Sequence, residues 1–302
     1  MFALHGAGQS KETFLGLFSW LAKHKLLLVA PDLRGHGQTN TSTENGSLAL
    51  DELAGDAFFF ISSVLQQVAA ERKSKPSLQW AILGHSIGGC VAVAATELFQ
   101  HTPYPLDLSK SLPGAFHAGL PASVVLLDCA TECVSASVER LDTYLDTIRP
   151  QEFATLQAAV AWHIERGIYR SSAVASASLL PCLIEAGAPA GQLAWRTDLT
   201  KNKGDWKTWA KSVSQSFVSL PKEVKKLLVM SNHSLLDAPL LTAEMQGSIA
   251  VKIIQAGHQL HENASDKVAM CIISLWQKVG VLQRHAPVLL DSLPVTSQLV
   301  AE

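Results

Sequence analysis

Charge is scarce in this 302-residue chain. Charged residues make up 17%, with 24 Lys and Arg against 26 Asp and Glu, for a formal net charge of −2. Nucleic acid and anionic membranes need a cationic face, so neither is predicted as a partner. Uninterrupted apolar runs are short, and none approaches the ~18–20 residues of a bilayer span. The opening segment, Met1 to Ser10, lacks the basic start and apolar centre of a secretory signal, so nothing there directs export. Paired cysteines are lacking too. Cys90, Cys129, Cys133, Cys182 and Cys271 are odd in number and have no C-x-x-C spacing. They read as reduced thiols of an intracellular protein, in the cytoplasm or the nucleus. No cluster of histidine and acidic residues has metal-ligand spacing, so no metal and no cofactor is expected. Apolar residues, by contrast, reach 48%, which excludes a disordered chain and supplies a large core.

Short β-rich runs alternate with longer helical patterns. Phe2–Leu4, Leu26–Val29, Leu78–Leu83, Val124–Leu127, Leu227–Met230 and Ile249–Ile254 are mostly continuous apolar segments. Such runs fit parallel strands covered on both faces. Lys11–Lys23, Leu48–Lys73, Ser86–His101 and Glu262–Val279 carry helical periodicity, with Ser47 as the expected N-cap of the second. The order predicts an α/β fold with a mostly parallel sheet flanked by helices. Between about Ser135 and Leu220 the alternation breaks. That segment is periodic as helix, shows no convincing strand, and holds Trp162, Trp195, Trp206 and Trp209. The expected organisation is a core over 1–134, a helical insertion serving as a lid over 135–220, the rest of the core over 221–284, and a loosely held tail over 285–302. His101–Pro121, rich in Pro and Gly, is expected to be a long surface loop.

The chemistry-bearing motif is Gly84-His85-Ser86-Ile87-Gly88, set between an apolar strand and a helix with small residues on its first turn. G-x-S-x-G in that setting predicts a tight strand-to-helix turn that lifts the serine hydroxyl above the sheet. The helix start also aims backbone N–H groups at developing negative charge. A second motif, His5-Gly6-Ala7-Gly8, leaves the first strand. It fits an oxyanion-hole loop, with the N–H groups of Ala7 and Ile87 as donors and His5 as organiser of the loop. Asp32 and Arg34 are expected to brace a loop.

A nucleophilic serine needs a base. His258 lies just past the last strand, where a loop can swing an imidazole over Ser86, in the chain order Ser…Asp…His. His261, three residues on, is the rival and is expected to start a helix facing solvent. His85 is expected to pack under the turn. Two carboxylates compete to orient the base. Asp128 stands at the carboxyl end of Val124–Leu127, and Asp237 follows the next strand at a distance. Placement favours Asp128 and leaves Asp237 open.

Taken together, LHGAGQS, APDLRGHGQT, ILGHSIGG, VVLLDCATE, AVAWHIERG, LAWRTDLTK with DWKTW, MQGS and AGHQLHENASDKVA resemble the protein phosphatase methylesterases of the α/β-hydrolase superfamily. The resemblance runs from Leu4 to about Val279. It implies the α/β-hydrolase fold and an acid at Asp128. It also implies hydrolysis of the methyl ester on the C-terminal leucine of the protein phosphatase 2A catalytic subunit, whose extended C-terminal peptide would be the partner. Trp195 and Arg196 are then candidate walls of the peptide groove. A small-molecule carboxylesterase and a phosphatase-binding protein with little turnover remain the alternatives. That fold carries two further strands ahead of the H-G-x-G strand. Leu26–Val29 is therefore expected to be an apolar sheet edge, covered by upstream residues or by another chain.

Overall fold

The computed structural model describes residues 1–40, 46–71, 79–101, 119–186, 191–209, 212–278 and 280. Most of the expected His101–Pro121 loop and all of the expected 285–302 tail lie outside the described residues. In chain order the first elements are β1 (Phe2–Leu4), α1 (Leu15–Lys23), α2 (Leu50–Glu71), β2 (Ala81–His85), α3 (Ile87–His101), β3 (Ser123–Leu127) and α4 (Thr131–Thr143). There follow β4 (Glu152–Phe153), α5 (Leu156–Glu165), α6 (Ser172–Leu179), β5 (Leu183–Glu185), β6 (Leu193–Trp195), α7 (Lys203–Trp209) and α8 (Val213–Ser219). The chain returns to the core with β7 (Lys225–Met230), α9 (Ala238–Met245), β8 (Ala250–Ile253), α10 (Leu260–Asn263) and α11 (Ser265–Lys278).

The strands β1, β2, β3, β7 and β8 pair in that order into a parallel sheet. Its two faces divide the apolar residues by parity. Val124 and Leu126 of β3 enter one core, with Leu53 and Ile61 of α2, Val91 of α3, Phe217 of α8 and Leu240 of α9. Val125 and Leu127 enter the other, with Leu17 and Leu21 of α1 and Val268 and Ile272 of α11. All four β3 side chains are fully buried, each stabilising the fold by roughly 1.5–3 kcal/mol. Burial on both faces is why the run shows no alternation. By length and composition α2 could cross a membrane, and here its inward stripe of Leu53, Ala57, Ile61 and Leu65 is buried in the core.

Three expectations are corrected. Leu26–Val29 forms no strand, only a single bridge between Val29 and Phe2. Lys25 before it takes a left-handed φ of 58°, and Pro31 after it has no N–H with which to extend the ladder. Ser47 does not cap α2: its Oγ accepts the Ala49 N–H at 3.3 Å, ahead of the helix. The start of α2 is instead held from far along the chain, by Asp205 Oδ2 on the Leu48 N–H (2.8 Å) and Thr208 Oγ1 on the Leu50 N–H (3.1 Å). Finally, the 135–220 segment does contain strands. β4, β6 and β5 make a small antiparallel sheet whose strands of two or three residues are too short to show a period. Phe153, Ala159, Tyr169, Ala175 and Leu179 form its own apolar cluster. Trp206 and Trp209 belong to the main core.

Candidate active site

β2 runs into Ser86, whose φ of 54° is left-handed, a conformation that costs a non-glycine residue on the order of 1–3 kcal/mol. The turn is tied by the Ser86 N–H to the Leu127 carbonyl (3.0 Å) and the Gly89 N–H to the Ser86 carbonyl (2.8 Å). A Cβ at Gly84 would overlap the Gly88 carbonyl, and one at Gly88 would overlap the Leu4 carbonyl. Glycine at both positions is therefore a packing requirement.

Ile87 is the first residue of α3, so its N–H is one of the helix-start amides without an intrahelical partner. In the loop after β1, the Gly6 N–H donates to Gln9 Oε1 and the Gly8 N–H to His36 Nε2, each at 2.9 Å. The Ala7 N–H between them has no partner among the described residues. Ala7, Ile87 and Ser86 border one cavity. His5 accepts the Leu33 N–H at Nε2 (2.9 Å), and its Nδ1–H donates to the Gly6 carbonyl (2.8 Å). Burial, reinforced by His36, pushes its pKa down to about 3, so it stays neutral. His36, which the sequence does not mark, fixes the same loop, with Nδ1–H donating to the Arg34 carbonyl at 2.9 Å. Asp32 accepts the Lys11 N–H (2.8 Å) and the Gln38 N–H (3.0 Å) and pairs with Lys11 Nζ. Arg34 reaches α2 through Asp56 and Glu52.

β3 ends in Asp128, also left-handed, with a φ of 49°. Its Oδ1 accepts the Ser231 N–H and its Oδ2 the Nδ1–H of His258, both at 2.7 Å. Burial pushes this carboxyl up, but the His258 hydrogen bond and charge, with the Ser231 N–H, hold it below the usual range. The His258 side chain is 44% exposed and that of Asp128 is 3% exposed. With Nδ1 engaged, Nε2 is the nitrogen left for the cavity that His258 shares with Ser86. The Ser86 hydroxyl makes no hydrogen bond among the described residues; such contacts often close only when substrate binds.

The remaining candidates sit elsewhere. Asp237 caps α9 and accepts from Ser214 Oγ (2.5 Å) and the Thr131 N–H (3.1 Å), well occupied without any histidine. His85 does more than pack: its Nε2–H donates to the His258 carbonyl at 2.9 Å. His261 is fully buried, contrary to the expected exposure. The short α10 turns it inward onto Phe14, where Nε2–H donates to Thr13 Oγ1 at 2.8 Å. Arg196 does not border the cavity; its Nε donates to the Pro181 carbonyl. Trp195 does border it. The cavity measures about 850 Å³, and the 135–220 segment walls it with Tyr144, Arg149, Arg166 and Trp195. Among the described residues no group of His, Cys, Asp and Glu is placed to hold a metal ion.

A parallel sheet, a strained serine turn and an Asp–His pair from later strands define a class, and the chain belongs to the alpha/beta hydrolase family, whose profile matches residues 1–270. A solved structure of E-2-(acetamidomethylene)succinate hydrolase shares the fold, with a TM-score of 0.65, 16% identity, and coverage of 91% of this chain and 90% of that one. Within the family the sequence is similar to protein phosphatase methylesterase 1. It is 29% identical to that of Candida albicans over 90% of this chain and 66% of the relative. It is 30% identical to that of Gibberella zeae over 91% of this chain and 64% of the relative. The chain thus spans a little under two thirds of these curated relatives.

Proposed function

We propose that this chain is a serine carboxylesterase that removes the methyl ester from the C-terminal leucine of the protein phosphatase 2A catalytic subunit. The 2.7 Å bond from His258 Nδ1–H to Asp128, on the cavity that holds Ser86 and the free Ala7 N–H, carries the chemical part of this reading. The similarity to named methylesterases supports the substrate. In the reaction, His258 Nε2 takes the Ser86 proton as Oγ attacks the ester carbonyl. The Ala7 and Ile87 N–H groups receive the oxyanion, and Asp128 holds the tautomer and balances the imidazolium. The imidazolium gives its proton to the departing methoxide, which leaves as methanol. Water, deprotonated by His258, then attacks the acyl-enzyme and frees the carboxylic acid and Ser86. The 135–220 segment acts as the cover that shapes the groove for an extended peptide.

The test is release of methanol from methylated phosphatase, set beside hydrolysis of a short-chain chromogenic ester. Turnover of both, selective for the phosphatase and reduced about 10⁶-fold or to background in Ser86→Ala, is the expected result. Turnover of the small ester alone would overturn the substrate assignment and leave a small-molecule esterase. Binding without turnover of either would overturn the enzyme itself.

A further inference from the structure

The cavity carries charge that the hydrolytic steps do not use. Arg140, Arg149 and Arg166 border it, against a single carboxylate, Glu132. Two of the arginines have local engagements: Arg166 lies over Trp162 at 4.3 Å, and Arg140 Nε donates to the Ala136 carbonyl at 3.0 Å. Arg149 differs. It is 9% exposed, and its Cζ lies 4.4 Å over the Trp195 ring. That indole is itself pinned by its Nε1–H to the Pro150 carbonyl at 2.8 Å. Arg149 Nε is buried without a hydrogen-bond partner, and among the described residues no carboxylate stands within ion-pair distance of the guanidinium. Asp198, whose charge favours the cation, is occupied by Thr200 and by Lys201 at 3.7 Å. Burial pushes the guanidinium below its ordinary pKa.

A buried cation without a counter-charge is among the costlier arrangements a fold can keep. Removing the cost requires an anion from outside. With its Cζ 4.4 Å over the indole centroid and its Nε sealed from solvent, the guanidinium has its two terminal nitrogens, without hydrogen-bond partners among the described residues, to offer a carboxylate through two parallel bonds. We propose that Arg149 is an anion subsite of this cavity and binds a carboxylate on the acyl side of the substrate, so that the preferred substrate is an acidic peptide ester. This rests on the carboxylesterase reading above. It adds a specificity residue contributed by the 135–220 segment.

The test uses peptides ending in leucine methyl ester, with one aspartate walked back a position at a time from that leucine and asparagine at the same position as control. The readout is the Asp-to-Asn ratio of kcat/KM. At one position the ratio is expected to reach about tenfold. It should fall to about one in Arg149→Met and recover in part in Arg149→Lys, which keeps the charge and loses the fork. Because the ratio is internal to each variant, general damage to folding does not imitate the effect. Ratios near one at every position in the wild-type protein would overturn the proposal. If no peptide ester is cleaved while a small ester is, the substrate reading fails, and calorimetric titration of the Asp and Asn peptides in amide form into Ser86→Ala decides the subsite. Tighter binding of the aspartate peptide, lost on adding Arg149→Met, supports it; equal binding overturns it.

Discussion

Asp128 and His258 meet at 2.7 Å although 130 residues separate them, and the pairing depends on where strands end. Asp128 is the first residue after β3, and the His258 loop follows β8, so both side chains emerge at the same edge of the sheet as Ser86. Asp237 fails as the partner for an equally local reason: its oxygens already serve α9, Ser214 and Thr131. The two acids should therefore separate in the laboratory. Asp128→Asn is expected to lower kcat by roughly 10³–10⁴-fold by removing the acceptor that fixes the tautomer. Asp237→Ala should leave kcat within a small factor of wild type and cost on the order of 1 kcal/mol of stability as a lost cap. Steady-state kinetics and urea denaturation, run on both, check this. Asp128 was legible in the sequence because a carboxylate abutting a buried apolar run has one obvious position. His36 and Arg149 were not, since their roles arise from contacts that no local pattern announces.

At the scale of elements, the serine turn is the tightest joint. The α3 helix presses against the Leu4 and His5 carbonyls at the end of β1, and Gly88 makes the approach possible. Gly88→Ala should force backbone apart rather than a side chain aside, with a cost of at least about 1–3 kcal/mol. Lower thermal stability together with lost activity is expected; a variant that matched wild type in both would contradict the packing argument. β1, β2, β3 and most of β7 were legible because double burial leaves uninterrupted apolar runs. β8, a half-exposed edge strand interrupted by Lys252, was legible from its flanking apolar residues, and the long helices because their stripes repeat. Leu26–Val29 looked the same by composition, but Lys25 and Pro31 limit it to one bridge. His261 was misread because α10 is a single turn, too short to show which way it faces. Ser47 looked like a cap because the side chain that takes the first α2 amide, Thr208, arrives from 158 residues away.

At the scale of the molecule, Glu262 joins three separate parts. It accepts from Thr13 before α1 (2.6 Å), from Ser178 in α6, and from Tyr169. Burial pushes its pKa up from 4.5 to about 7, despite those hydrogen bonds. Between these values the folded chain keeps a proton that the unfolded chain releases. The contribution of Glu262 to stability should therefore decline as pH rises from about 4.5 to about 7, by on the order of 3 kcal/mol in total, and stay lower above. Asp128, whose carboxyl is held down, contributes in the opposite sense, its stabilisation being lost as pH falls through its folded-state pKa. Buried His5 and His261, both held down to about 3, act in the opposite sense over the same range, so the measurement is a difference. The stability of wild type minus that of Glu262→Gln, from denaturant titrations, should fall as pH rises from about 4.5 to about 7, and a difference independent of pH would refute it.

The α2 start, gripped by Asp205 and Thr208, has a consequence for how the protein could have been assembled. The Trp209 indole also donates to the Leu48 carbonyl at 2.8 Å, and Trp206 and Trp209 fill space beside the sheet. Excising the 135–220 stretch, which supplies part of the cavity wall, would strip amides of their acceptors and open a void where two indoles had been. Wall and foundation would fail together, and a shortened chain lacking that stretch would be a poor vehicle for studying catalysis.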